Sequence, residues 1–282
     1  MPTAHSLLRL TERLYGVPHL ITESALAPIL NYLNDRNNLG LVGQPTQPAK
    51  DAEPEQVAGI GEITVDGALT YRPVQTMCGP QGVSYQGILD QAEMLIDSGV
   101  KTLILTHSSP GGEAQHCFST ANDLRAMCDA NDVTLISYID TLSASASLAL
   151  SVVADQVIIH PSASTGSVGC VVAILDRSKA YEQAGLKPIY IASTAGKTPF
   201  QADGSFSQEF LDGLQEDVTR LGTEFAEHVS KYTGIPVAEV VGMNARMFHA
   251  EAALAAGLVN QIMDHKQFTA YVANLHKEKL NA

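Results

Sequence analysis

VKTLILTHSSPGGE (Val100–Glu113) decides the fold. Its first eight residues form an apolar run rich in leucine and β-branched residues, the pattern of a strand ending at His107 and buried on both faces. Two glycines follow directly, and a helical pattern then runs over Glu113–Ala130. Glycines at a strand-to-helix turn let main-chain N–H groups face outward at a helix start, where negative charge is stabilised. An ordinary βα turn explains SSPGGE equally well.

Working outward, the same alternation repeats on both sides. Upstream lie a short apolar run from Ile60 (IGEITVDG) and a helical run over Tyr85–Ser98. Downstream come strand patterns at Val133–Ile139, Gln156–Ile159, Ser167–Val172 and Lys187–Ala192, with helical patterns at Ser143–Val153 and Ser178–Gly185. Strands alternating with helices of about ten residues predict βαβ crossovers and a largely parallel sheet, an α/β fold. The last third is helical: Leu214, Val218, Leu221, Phe225, Val229 and Tyr232 recur at steps of three and four on a helix starting near Ser207. That stripe reads as core or subunit contact. EAALAAGLVNQIM then reads as a short helix, a stop at Gly257 and a final strand.

The ends divide differently. Residues 1–42 read as an N-terminal helical arm, with amphipathic patterns at Leu7–Tyr15 and Ser24–Leu33, the second interrupted by Pro28. Residues 43–56, rich in Pro, Gln and charge, read as a linker. The main domain is expected over 57–265, with 266–282 as a C-terminal tail.

Composition excludes several classes. The 282 residues are 45% hydrophobic and 17% charged, with mean hydropathy of +0.04, as in a folded globule. A net charge of −13 and a pI near 5.0 oppose phosphate binding, so nucleic acid is not an expected ligand. Cys78, Cys117, Cys128 and Cys170 form neither a CxxC pair nor a zinc pattern, which points to a reducing compartment. No signal peptide or membrane anchor is read at the N-terminus, and no apolar run approaches the ~20 residues of a membrane span.

Three more segments could carry chemistry. In TLSASASLALSVVAD (Thr141–Asp155), Ser143, Ser145 and Ser147 sit among small residues after a strand, where a nucleophile gains from a helix start. Close helix packing explains such a run equally, and the residues alone do not choose among the serines. STGSVG (Ser164–Gly169) is a second glycine turn, with a hydroxyl at Ser167. Lys197, in STAGKTPF (Ser193–Phe200), sits just past a strand pattern among small residues. Most lysines are simply surface charges. A lysine acting as a base near neutral pH must fall from ~10.4 to about 7, a cost of roughly 4–5 kcal/mol met by burial beside hydroxyl partners.

Taken in order, SPGG (Ser109–Gly112), a serine after Ala144, TGSVG (Thr165–Gly169), a lysine and ARMFHAEAALAAGLVNQI (Ala245–Ile262) resemble the S49 peptidase family. They are similar to the signal peptide peptidase A relatives and, within them, the phage capsid-assembly proteases of the lambda protein C type. The resemblance spans about Ile60 to Met263, and YGVPHLITESALAPILN (Tyr15–Asn31) resembles the phage branch. It implies a crotonase/ClpP-like fold with repeated ββα/βαβ units and a helical C-terminal region. It selects Ser145, ten residues before Asp155, as nucleophile and Lys197 as base, with Ser167 orienting the lysine. It also implies that the N–H groups of Gly112 and Ala146 form the oxyanion hole. Ala146 and Ser147 stand where the family usually has two glycines, and Lys197 follows Gly196 directly rather than by three residues.

The resemblance further implies a serine endopeptidase without cofactor or metal, with a small-residue pocket at its first specificity site. Capsid or scaffold proteins would be its polypeptide substrates, and it would be a homo-oligomer whose neighbouring subunits complete the sites. Its place would be the cytoplasm, that of the host or the procapsid for a phage-encoded chain. Three enzymatic alternatives remain: a soluble housekeeping relative of signal peptide peptidase, a ClpP-like Ser/His/Asp protease using His160, and a crotonase-type acyl-CoA enzyme, which lacks the expected carboxylates here. A fourth is an inactive capsid component.

Overall fold

The computed structural model describes residues 15–27, 30–31, 54–57, 59–72 and 83–280. In chain order these form β1 (His19–Ile21), β2 (Glu55–Val57), β3 (Ile60–Asp66), α1 (Tyr85–Asp97), β4 (Thr102–Ser109), β5 (Gly111–Glu113), α2 (Cys117–Ala130), β6 (Thr134–Ala144) and α3 (Ala146–Ser151). There follow β7 (Gln156–Ile159), β8 (Ser164–Gly166), α4 (Ser178–Gln183), a 3-10 turn (Ala195–Lys197), α5 (Gln208–Thr233), α6 (Val237–Gly242), β9 (Met247–His249), α7 (Ala250–Ala255), β10 (Gln261–Ile262) and α8 (His265–Leu280).

The main sheet runs β10-β7-β6-β4-β3-β2; its four pairings from β3 to β10 are parallel, and the β2 edge is antiparallel. β6 is long enough to pair β7 along its first part and β8 at its end. The alternation of each strand sorts side chains to two faces. Leu103, Leu105, Leu135 and Ile139 join the large core under the helices, while Ile104, Ile136, Tyr138 and Ile158 face the other way.

That second face is covered by α8. Val272 is buried there, and Phe268 stacks on Tyr138 with ring centroids 4.0 Å apart. Residues 266–280, expected as a tail, are thus a packed helix. Their short stripe of Phe268, Tyr271, Val272 and Leu275 is what seats it. Glu55 and Gln56, expected in the linker, pair with β3 instead. The helical pattern at Leu7–Tyr15 up to residue 14, and residues 43–53 of the linker, lie outside the described residues.

Two further expectations meet a different structure. Lys187–Ala192, alternating like a strand, forms none, and Ile189 and Ile191 are 79% and 96% exposed. A strand needs a neighbour to satisfy its main chain, and this segment has no ladder among the described residues. The segment Ser167–Val172 leaves the strand after Gly166, because Ser167 takes φ 60° and its N–H donates to the Arg246 carbonyl. Past it, Val171 and Ala173 bridge to residues 15–19.

The long helix is as expected. Ser207 caps α5 by accepting the Phe210 N–H, and Gly234 closes it with φ 77°. Only its C-terminal half is packed deeply, through Phe225, Ala226, His228 and Val229.

Candidate active site

Parallel strands deliver the candidate residues to one end of the sheet. β4 ends in Ser108 and Ser109, which lie in register with Leu142 and Ser143 at the end of β6. Two steps later β6 turns into α3, and the residue at that turn is Ser145.

Ser145 has φ 55° and ψ −117°, outside the regions L residues ordinarily occupy. Such a conformation costs roughly 1–3 kcal/mol and persists only when its surroundings impose it. Here the surroundings are explicit. Its N–H donates to the Gly166 carbonyl of β8, its carbonyl accepts the Ala149 N–H of α3, and the residue is fully buried. Its hydroxyl, by contrast, has no hydrogen-bonding partner among the described residues. A buried Ser Oγ without a partner, held on a strained turn, is a candidate for chemistry.

The glycine turn faces it. A Cβ added at Gly111, whose φ is 100°, would lie 3.0 Å from the Ser145 Cβ and 3.0 Å from the Ala144 carbonyl oxygen. One added at Gly112 would lie 1.9 Å from the Leu69 carbonyl oxygen. Only glycine lets the main chain approach this closely. Gly111–Glu113 is therefore a short strand, β5, and not the helix start expected at Glu113; α2 begins at Cys117. Ala146 opens α3, where first-turn N–H groups have no intrahelical acceptor.

Beneath Ser145 lies a buried polar cluster absent from the sequence reading. Ser147 Oγ is 2.9 Å from His107 Nδ1 and 3.1 Å from Ser143 Oγ, and His107 Nε2 is 3.3 Å from Ser137 Oγ. Burial pushes His107 down to about 3, so the ring is neutral. The cluster ties α3 to β4 and β6 directly below the Ser145 turn. Its signal in the sequence is alternation: His107 shares a sheet face with Leu103 and Leu105. Asp155, ten residues on, accepts the Leu135 N–H and pairs with Arg125 at 3.0 Å, anchoring the far end of α3.

Ser167 follows Gly166, whose carbonyl accepts the Ser145 N–H, and the other expected residues make no bond to the Ser145 hydroxyl. Ser167 is half-buried after β8. Lys197 ends the 3-10 turn, exposed, and lines an open cavity with Pro199, Ser207, Phe210 and Leu214 at the start of α5. No bond joins it to the Ser145 hydroxyl within the chain. His160 contacts Ser162 (Nδ1 to Oγ, 2.7 Å) and packs on His265, so it is not the partner of Ser145 either.

A model of Peptidase family S49 matches residues 130–279, more than half of the sequence. The chain belongs to this family. Curated relatives include the head-tail preconnector protein GP5 of Enterobacteria phage P21, 26% identical over 74% of this chain and 41% of its own length. The capsid assembly protease C of Escherichia phage lambda is 25% identical over 80% of this chain and 51% of its own. A putative signal peptide peptidase SppA of Enterococcus faecium is 23% identical over 72% and 59%. The chain thus spans about half the length of the curated relatives it matches. Among solved structures, a ClpP1 mutant from Listeria monocytogenes aligns with TM-score 0.47 and 12% identity, over 72% of this chain and 91% of that one. Among the described residues no helix is long and apolar enough to cross a membrane.

Proposed function

We propose that the chain is a serine endopeptidase in which Ser145 attacks the scissile carbonyl. The observation that carries this reading is the turn itself: a strained, fully buried serine with an unpartnered hydroxyl, facing two glycines that no side chain could replace. The Lys197 amine takes the Ser145 proton as the Oγ–carbon bond forms, then returns it to the departing amine as the peptide bond breaks. Water hydrolyses the resulting ester by the same route. The N–H groups of Gly112 and Ala146 hold the oxyanion, each worth about 3–4 kcal/mol, and Ser167 orients the lysine.

Because Lys197 is exposed on a segment distant in connectivity from α3, a neighbouring copy brings it to Ser145. The apolar surface around it, Ile189 and Ile191 above all, supports a homo-oligomer. The name of the lambda relative, a capsid assembly protease, supports capsid proteins as substrates; scaffold proteins as further substrates, and the assembling particle in the host cytoplasm as the place of action, belong to the same proposal.

Mixing tests both parts. Ser145→Ala and Lys197→Ala are each expected to lose casein cleavage by at least a hundredfold. Mixed and allowed to exchange subunits, they should recover a measurable fraction, because some sites then pair an intact serine with an intact lysine. Undiminished cleavage by either variant alone would refute the dyad, and mixtures that stay inactive would place both residues in one subunit. Mass spectrometry of capsid proteins co-expressed with the chain would locate their cut sites.

A further inference from the structure

β1 lies where a substrate would. It pairs antiparallel with β5, with His19, Leu20 and Ile21 opposite Glu113, Gly112 and Gly111. Bonds from the Thr22 N–H to the Pro110 carbonyl and from the Ala114 N–H to the Pro18 carbonyl flank that register. The alternation of an antiparallel ladder then makes Leu20 and Gly112 the hydrogen-bonded pair between them, with the Gly112 N–H donating to the Leu20 carbonyl. On its other edge the same segment bonds Val171 in both directions (His19 N–H to Val171 O, 2.8 Å; Val171 N–H to His19 O, 2.9 Å), and the Gly16 N–H donates to Ala173.

The Leu20 carbonyl is also beside the nucleophile. The point where a Cβ would stand on Gly111 is 2.1 Å from the Leu20 oxygen and 3.0 Å from the Ser145 Cβ. An N–H has one proton to donate. While Leu20 takes that of Gly112, no other acyl oxygen can have it.

We infer that residues 15–22 are an internal peptide seated in the substrate groove, an autoinhibitory strap that must leave before a polypeptide can bind in the same extended form between β5 and residues 171–173. This rests on the reading of Ser145 and Gly112 given above. The gap left by the strap is one strand wide and offers main-chain donors and acceptors on both sides, the requirement for strand addition by an extended peptide. Leu20, whose carbonyl occupies the donor, has its side chain fully buried in the main core. The groove therefore accepts a branched aliphatic residue at the position whose carbonyl is attacked, in place of the small one the family resemblance implies.

A disulfide lock tests the strap in the full chain. His19 and Val171 form a hydrogen-bonded antiparallel pair, for which Cα atoms lie about 5.5 Å apart, within the span of a disulfide. His19→Cys with Val171→Cys, in a Cys170→Ser background so that no adjacent thiol competes, can be oxidised and then reduced. The probe is a fluorescent peptide of residues 15–23, and binding is read by anisotropy with Ser145→Ala added, so that no chemistry is needed. The reduced protein should bind at least tenfold more tightly than the oxidised one, and the peptide carrying Leu20→Asp should bind at least tenfold more weakly, because an unpaired carboxylate would be buried. Equal binding to both forms, or binding to neither, overturns the strap. With Ser145 retained, casein cleavage should fall at least tenfold on oxidation and return on reduction. Loss of casein cleavage in every form, with redox-dependent peptide binding kept, would refute the protease reading and leave the strap standing.

Discussion

The two halves of the proposed dyad sit in opposite kinds of environment. Around Ser145 every main-chain group is fixed from several directions: β8 takes its N–H, α3 takes its carbonyl, and the His107 cluster lies below. Around Lys197 a single chain fixes little. Residues 187–192 make no ladder, α4 buries no side chain, and Leu186, Ile189 and Ile191 face outward. A nucleophile must be held within a fraction of an ångström before substrate arrives. A base supplied by a neighbouring copy can be ordered by assembly. The difference teaches that the single chain fixes the strained serine turn completely, and that in the proposed dyad the basic part is left to an interface.

The sharpest way to break that contrast is at glycine. Gly112→Ala would drive a methyl into the Leu69 main chain, which cannot yield as a side chain could. We expect a loss of at least about 3 kcal/mol in urea unfolding, together with loss of activity. Gly196→Ala, beside Lys197, meets nothing within 4 Å and should stay within about 0.5 kcal/mol of wild type. Equal effects at the two positions would remove the distinction.

How much of this was legible in the sequence follows the same line. Local, repeated signals carried the parallel sheet, the long α5 and the glycine turn, because each rests on periodicity or on a backbone that only glycine permits. Ser145 was not chosen by its neighbours, since Ser143 and Ser147 look alike in the run; the family order selected it, and the positive φ that distinguishes it has no residue-level mark. The pairing of His19–Ile21 with β5 joins residues about ninety apart in the chain, and a histidine and two apolar residues after a proline do not announce a strand. Lys187–Ala192 has a strand's alternation without a partner in the chain, so pattern alone overstated it.

A second test uses acid. His107 has an ordinary value near 6.5 and is held at about 3 by burial, and burial lowers His228 as well, although its Nε2–H donates to the Ala149 carbonyl at 2.9 Å. Between pH 6.5 and 3 the unfolded chain binds a proton at His107 that the folded chain refuses. Stability is thus complete above pH 6.5 and falls below it, by up to about 1.4 kcal/mol per pH unit for this one ring. His107→Gln keeps hydrogen-bonding atoms beside Ser147 and Ser137 without a titrating proton. Its urea-unfolding free energy should decline less steeply than wild type between pH 6 and 4.5. An unchanged slope would mean that the region beneath Ser145 opens to water and is not the rigid element described.

The smallest effect on folding, and the most informative about Lys197, is expected at the exposed isoleucines. Ile189→Ser with Ile191→Ser removes apolar surface that the single chain leaves in water, so the unfolding free energy of the chain itself should move by no more than about 0.5 kcal/mol. If that surface is where copies meet, the same double variant loses apolar burial at the interface, at about 25 cal/mol per Å². Light scattering should then report smaller species, and casein cleavage should fall with assembly, regaining rate as protein concentration rises. A variant that stays fully assembled and active would place the contact elsewhere, and Lys197 would need another route to Ser145.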